Sequence, residues 1–268
     1  MRLNLKKPLL LDGKRAACVE RIADVTIKGK EGEEKIFVGI ERRVGVVEEG
    51  ESEESVRERF GTEEVGEGEV GGGEVEGEWS VCERRNLVFM REAPAAPPQK
   101  SEGGSATQAP AKPKIMTPPE NADFTHTFLP TPRLLFRYSA LTWNAHAIHL
   151  DPQYTRDIEG HRGLLVHGPL SFTLLVTNLR RFLASQSTSG EGQEEIEFVE
   201  YRNLAPVYCS EEMTVAGRRK EGESGKWEVW VQGPDGGVKV RGVVRTRRVD
   251  GGGSGMGKGY GDIEMLMA

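Results

Sequence analysis

Residues 168–183 read GPLSFTLLVTNLRRFL, a run of helical length that is apolar on most of its faces. A helix of that kind is wrapped by other structure and does not lie on a surface. Gly168-Pro169 suits its start, because proline is tolerated at the first helical position, where its missing N–H costs nothing. Downstream, residues 195–204, 212–219, 226–232 and 238–247 are rich in β-favouring residues and read as four strands. Upstream, residues 136–170 (FRYSALTWNAHAIHLDPQYTRDIEGHRGLLVHGPL) hold four of the five histidines. His146 and His149 form one group, and His167 stands directly before Gly168. A strand is expected over 134–139, opening this second half.

The first half is strand-like over 2–11, 15–28, 35–46 and 79–91, with no helix expected. Between the last two strands, residues 48–78 carry thirteen Glu against Arg57 and Arg59. The formal charge of −6 is made there, and the remainder of the chain is mildly basic. So acidic and apolar-poor a stretch cannot bury enough surface to offset chain entropy and reads as a disordered insertion. Residues 93–122, rich in Pro, Ala, Gly and Ser, read as a flexible linker. The expected organisation is therefore a first unit over 1–92, the linker, a second unit over 123–249 and a flexible tail over 250–268, with a loop over 185–193. KEGEEKIFV (30–38) and KEGESGKWEVWV (220–231) share hairpin chemistry and strand entry, which favours two copies of one β-rich unit.

Cys18, Cys82 and Cys209 are widely separated and form no CxxC pair, so neither a disulfide framework nor a thiolate zinc site is expected. No run of about 18 apolar residues exists to span a bilayer, so no membrane insertion is expected. No Arg-rich presequence is visible. Met1 leads at once into strand-like RLNLKKPLLL, as in a chain that begins partway through its first unit. The mildly basic body suits an acidic partner such as an acyl carrier; nucleic acid is not expected.

A loop, one buried helix and four antiparallel strands wrapped round it describe a hotdog domain in the α+β class. Residues 136–151 with LLVHGPL (164–170) resemble the MaoC-like hydratase and dehydratase family, above all its fungal mitochondrial hydroxyacyl-thioester dehydratase type 2 branch and the mesaconyl-CoA hydratases. MRLNLKKPLLLDGKRAACVERI, FVGIERRV and ERRNLVFMRE look like the later strands of that family's amino-terminal hotdog. The resemblance implies a double hotdog whose first copy lacks its N-terminal part and helix. It also implies a lyase that interconverts (3R)-3-hydroxyacyl and trans-2-enoyl thioesters on acyl-ACP or acyl-CoA, in mitochondrial fatty acid synthesis, without a cofactor and as a homodimer.

The chemistry needs a base for the α-proton and a donor for the leaving hydroxyl, and imidazole serves both near neutral pH. The resemblance makes His149 the candidate; without it His149 would read as a structural histidine. Superposing the family's Asp-x-Asn-Pro-x-His loop on His149 puts Asn144 at the Asp position, His146 at the Asn position and Ala147 at the Pro position. An amide can orient a hydroxyl but cannot shuttle a proton, so Asn144 is a positioner, and His146 or Asp151 could assist His149. Gly168 at the helix start suits close approach of the thioester to backbone donors. His167 reads equally as a packing residue or as part of the site. Leu164, Leu165, Val166 and Phe172 are core or acyl-pocket walls, and His126 and His161 ordinary loop residues. His146 and His149 are spaced for a metal, but no third ligand is evident, so none is expected. The rivals are a noncatalytic acyl-thioester-binding protein and an acyl thioesterase, the latter calling for a carboxylate near the helix.

Overall fold

The computed structural model describes residues 1–10, 12–61, 77–90, 115–186 and 193–249, and the chain divides into two units, Met1–Pro113 and Lys114–Ala268. Most of the linker, the tail over 250–268 and part of the acidic segment lie outside the described residues.

In the first unit, β1 (Arg2–Leu3), β2 (Ala16–Lys28), β3 (Lys35–Val46) and β4 (Val81–Met90) form an antiparallel sheet in the order β2-β3-β4-β1. The expected strand over 2–11 is cut to two residues. The Asn4 amide donates to the Gly77 and Trp79 carbonyls while its Oδ1 accepts from Lys6 N–H, turning the chain out of the sheet. One side of β2-β3-β4 carries Ile22, Val25 and Ile27, paired across the ladder with Ile40, Val38 and Ile36, and then Leu87 and Phe89. Ile22, Val25, Ile27, Ile36, Leu87 and Phe89 are exposed there.

Helix α1 (Glu53–Phe60) corrects two expectations, that this half has no helix and that residues 48–78 are disordered throughout. The Ser52 hydroxyl caps it, Glu53 and Glu54 occupy its first turn, and Arg57 and Arg59 its last, a charge order that suits the helix dipole. Val56 and Phe60 bury against Val47, Trp79 and Cys82. The buried Arg43 donates to the Phe60 and Gly61 carbonyls at 2.6 and 2.8 Å, closing the helix end, and pairs with the buried Glu41. Two apolar anchors and a cap suffice to order eight residues that composition alone assigns to solvent.

The second unit begins with β5 (Phe124–Phe128) and α2 (Pro132–Thr142). The strand expected over 134–139 is thus a helix. Thr131 Oγ1 accepts from Leu134 N–H, Pro132 starts the helix, and Trp143 ends it in the left-handed region. The edge strand lies earlier, where Phe124–Phe128 pairs with β7 (Met213–Arg219). A 3-10 turn (Ala147–His149), α3 (Pro152–Asp157) and α4 (Gly168–Gln186) follow α2. With β6 (Gln193–Asn203), β8 (Lys226–Gln232) and β9 (Val238–Val249) the sheet order is β6-β9-β8-β7-β5, all antiparallel.

Helix α4 packs on β5, β6, β7 and β8, burying Leu170, Leu174, Leu175, Leu179 and Leu183. Facing it are strand residues such as Val215, Trp227, Val229 and Val231, all buried; Phe182 meets the Trp227 ring edge-on at 5.7 Å. The expected wrapped helix and four following strands are present, with ends displaced by a few residues. Both KEG segments are hairpin turns, joining β2 to β3 and β7 to β8.

Candidate active site

Three short backbone clamps build the region ahead of α4. Leu165 N–H donates to the Ile148 carbonyl at 3.0 Å, Val166 N–H to Val207 at 2.8 Å, and Cys209 N–H to Leu164 at 2.8 Å. Residues 164–166 are thereby held between the 3-10 turn and residues 207–209. His167 follows, and its carbonyl accepts from Ser171 N–H, opening the hydrogen-bond ladder of α4.

His149 is buried, and its Nδ1 lies 2.8 Å from the Leu165 carbonyl. A carbonyl only accepts, so Nδ1 carries the proton and Nε2 keeps its lone pair. Burial lowers the His149 pKa, as does the nearby His146, while the Leu165 bond opposes them. His167 is fully buried and stacks on His149, ring centroids 3.6 Å apart and planes 21° from parallel. Its Nε2 lies 2.9 Å from Ser139 Oγ on α2, and Tyr138 packs beside it at 5.0 Å. Its Nδ1 has no hydrogen-bond partner among the described residues. Burial, with a smaller effect of His149, brings the His167 pKa down to about 4. The site thus holds two neutral imidazoles face to face, and neither is bonded to a carboxylate among the described residues.

The remaining sequence candidates separate. His146 is exposed, with its ring 6.0 Å from that of His149. Asn144 Oδ1 accepts from His146 N–H at 3.2 Å, and Asn144 N–H donates to the Ser139 carbonyl at the end of α2. Asp151 Oδ1 accepts from Gln153 and Tyr154 N–H, capping α3, which gives its carboxylate a structural task. A Cβ on Gly168 would meet Asn203 Nδ2 at 2.6 Å. Leu164 and Val166 are buried, and Phe172 stacks on Tyr201 at 4.8 Å. His126 lies on strand β5 against Phe128, not in a loop, and His161 packs beside Tyr208. No cluster of three metal-ligating side chains occurs among the described residues.

Sequence reasoning missed Ser139, Tyr138, Asn203 and the Leu165 carbonyl. Ser139 and Tyr138 lie inside the apparent strand over 134–139, and nothing in the spacing shows that they reach a histidine 28 and 29 residues away. Read as a helix with Thr131-Pro132 at its start, the segment would have placed Ser139 on the buried face of Leu135, one turn on.

An antiparallel sheet packed on a long central helix is the hotdog architecture, which solved MaoC-like dehydratases share. A MaoC-like dehydratase from Phytophthora capsici superposes on 92% of this chain and 69% of its own, with a TM-score of 0.55 at 15% identity. The peroxisomal multifunctional enzyme type 2 of Drosophila melanogaster superposes on 87% of this chain and 34% of its own, with a TM-score of 0.54 at 13% identity. The chain belongs to the hydroxyacyl-thioester dehydratase type 2 family, whose model matches residues 2–209. Mesaconyl-C(4)-CoA hydratase of Chloroflexus aurantiacus is 37% identical over 135 residues, half of this chain and 44% of that protein. The mitochondrial hydroxyacyl-thioester dehydratase type 2 of Schizosaccharomyces pombe is 31% identical over 105 residues, 39% of this chain and 33% of that protein. The matched region spans less than half the length of either relative.

Proposed function

We propose that the second unit catalyses reversible loss of water from a (3R)-3-hydroxyacyl thioester to the trans-2-enoyl thioester, with His149 as the proton carrier. The observation that carries this reading is the bond from His149 Nδ1 to the Leu165 carbonyl, which leaves a buried, neutral imidazole with Nε2 as its basic atom. Such a base is in the right form at neutral pH without losing a competing proton first. In the dehydration direction Nε2 takes the α-proton, the C–O bond at C3 breaks, and the proton passes to the departing hydroxyl, which leaves as water. The Asn144 amide orients that hydroxyl. The first turn of α4, with Gly168 allowing close approach, supplies the N–H donor for the enolate oxygen.

His146, at the rim, is assigned to substrate contact, and His167 to the support of His149. Asp151 is left to its cap. Among the described residues no carboxylate bonds either buried histidine, and the crotonyl-CoA assay below distinguishes a lyase from a thioesterase by whether free thiol is released. Acyl-ACP or acyl-CoA as substrate, a mitochondrial setting, a place in fatty acid synthesis and a homodimeric assembly belong to the same proposal. The mitochondrial naming of the fission yeast relative and the CoA substrate in the name of the bacterial one support it.

Hydration of crotonyl-CoA, followed by loss of its enoyl-thioester absorbance, tests the reading. The wild type is expected to be active and His149→Ala to lose roughly 100- to 10,000-fold, the range for a general acid–base group. An inactive wild type, an unimpaired His149→Ala, or release of free thiol in place of hydration would overturn it.

A further inference from the structure

The fully buried His167 supports His149 in the proposed site, but how it does so is open, and Ser139, whose hydroxyl meets it at 2.9 Å from another helix, has no task there. We propose that Ser139 and His167 are positioning residues. The Ser139 hydroxyl fixes the His167 ring, and that ring, stacked at 3.6 Å, fixes the plane of the His149 imidazole and denies water to one of its faces. This rests on His149 being the proton carrier.

Two bonds define the orientation of an imidazole only when they act in different directions. The Leu165 carbonyl holds His149 at Nδ1, which leaves the ring free to rock about that contact. A flat neighbour on one face removes this freedom, since rocking would drive the two rings together. His167 can serve as that neighbour only if its own plane is fixed, and its Nδ1 has no partner to do so among the described residues. The bond to Ser139 therefore sets the plane of both rings. It also joins the end of α2 to the start of α4 through the histidine pair, placing the reactive nitrogen relative to Gly168. Two imidazoles this close cannot both be charged without repulsion, so the pair resists taking up a second positive charge, and His149 is the ring nearer solvent. Among the described residues the other titratable groups beside the pair are His146, just ahead of the 3-10 turn, and Tyr138 on α2. Neither is a carboxylate.

The test compares Ser139→Ala with Ser139→Thr, which keeps the hydroxyl, and follows crotonyl-CoA hydration together with NMR titration of the His149 imidazole without substrate. In Ser139→Ala, kcat is expected to fall roughly 10- to 100-fold, the scale of a misplaced catalytic group, with KM little changed. The acid limb of kcat/KM and the His149 titration should both move up toward the ordinary value of about 6.5 as water reaches the loosened ring. Ser139→Thr should restore both. If Ser139→Ala fails to fold, Ser139→Cys, nearly isosteric but a weak hydrogen-bonding partner, should show the same losses. Wild-type kcat and titration in a folded Ser139→Ala or Ser139→Cys, in a protein whose wild type is active and whose His149→Ala is not, overturns the positioning assignment alone. Failure of those two controls overturns the active-site reading instead, and the NMR arm remains decisive for the stack itself.

Discussion

Gly168 occupies a position where a methyl group would meet Asn203 Nδ2 at 2.6 Å. Asn203 is exposed and ends β6, so its amide can swing away and Gly168→Ala should fold with little change in melting temperature. The added methyl would still stand over the first turn of α4, where the proposed reaction brings the thioester oxygen. Activity is expected to fall by about 100-fold, the penalty of an ångström-scale misplacement. The double variant Gly168→Ala/Asn203→Ala separates the two effects. If Gly168 matters only for packing, removal of the Asn203 amide restores the rate of crotonyl-CoA hydration. If close approach is its task, the rate stays low. His149 and Gly168 stand out in the sequence because NAHAIH and VHGPL carry a family pattern. The stacking of His149 on His167 does not, since an 18-residue separation bridged by a 3-10 turn, a short helix and a loop gives no periodicity that brings two rings together.

At the scale of elements, α1 shows how few contacts order a charged segment. Phe60 is buried, and its ring stands where a Cβ on Gly45 would be 2.7 Å away, so the helix lies directly on the backbone of β3. Phe60→Ala is expected to cost about 3–5 kcal/mol in chemical denaturation of the first unit. Thr131→Ala, removing the cap of α2, should cost about 1 kcal/mol. Helix α4 and strands β6 to β9 were readable because their periodicities run long and their breaks are marked by Gly, Pro and hairpin residues. Helix α2 was not, because Leu134-Leu135-Phe136 looks like a buried strand until Thr131-Pro132 is weighed as a helix start. For α1 the thirteen glutamates dominate composition while two apolar anchors decide the structure.

Across the whole molecule, the buried histidine pair ties stability to pH. Both rings have folded pKa values below their ordinary 6.5, that of His167 at about 4. Between those values the unfolded chain binds protons that the folded chain refuses, so stability rises with pH across that window. It is therefore full above pH 6.5 and is lost as the pH falls from 6.5 toward 4. Urea midpoints measured over this range should decline in the wild type and decline less in His167→Phe, which keeps a stacked ring but has no titrating nitrogen.

The uncovered apolar side of β2-β3-β4 has a colloidal consequence. At low salt the net charge of −6 at neutral pH keeps molecules apart, because repulsion reaches about 10 Å at 0.1 M ionic strength. At 1 M salt that reach shrinks to about 3 Å, and Ile22, Val25, Ile27 and Phe89 can then meet any apolar surface that diffuses by. The protein should accordingly bind hydrophobic-interaction resin more strongly than its modest apolar content suggests. It should also scatter more light as salt is raised, and Ile27→Lys with Phe89→Lys should suppress both behaviours while leaving the hydration proposed for the second unit intact.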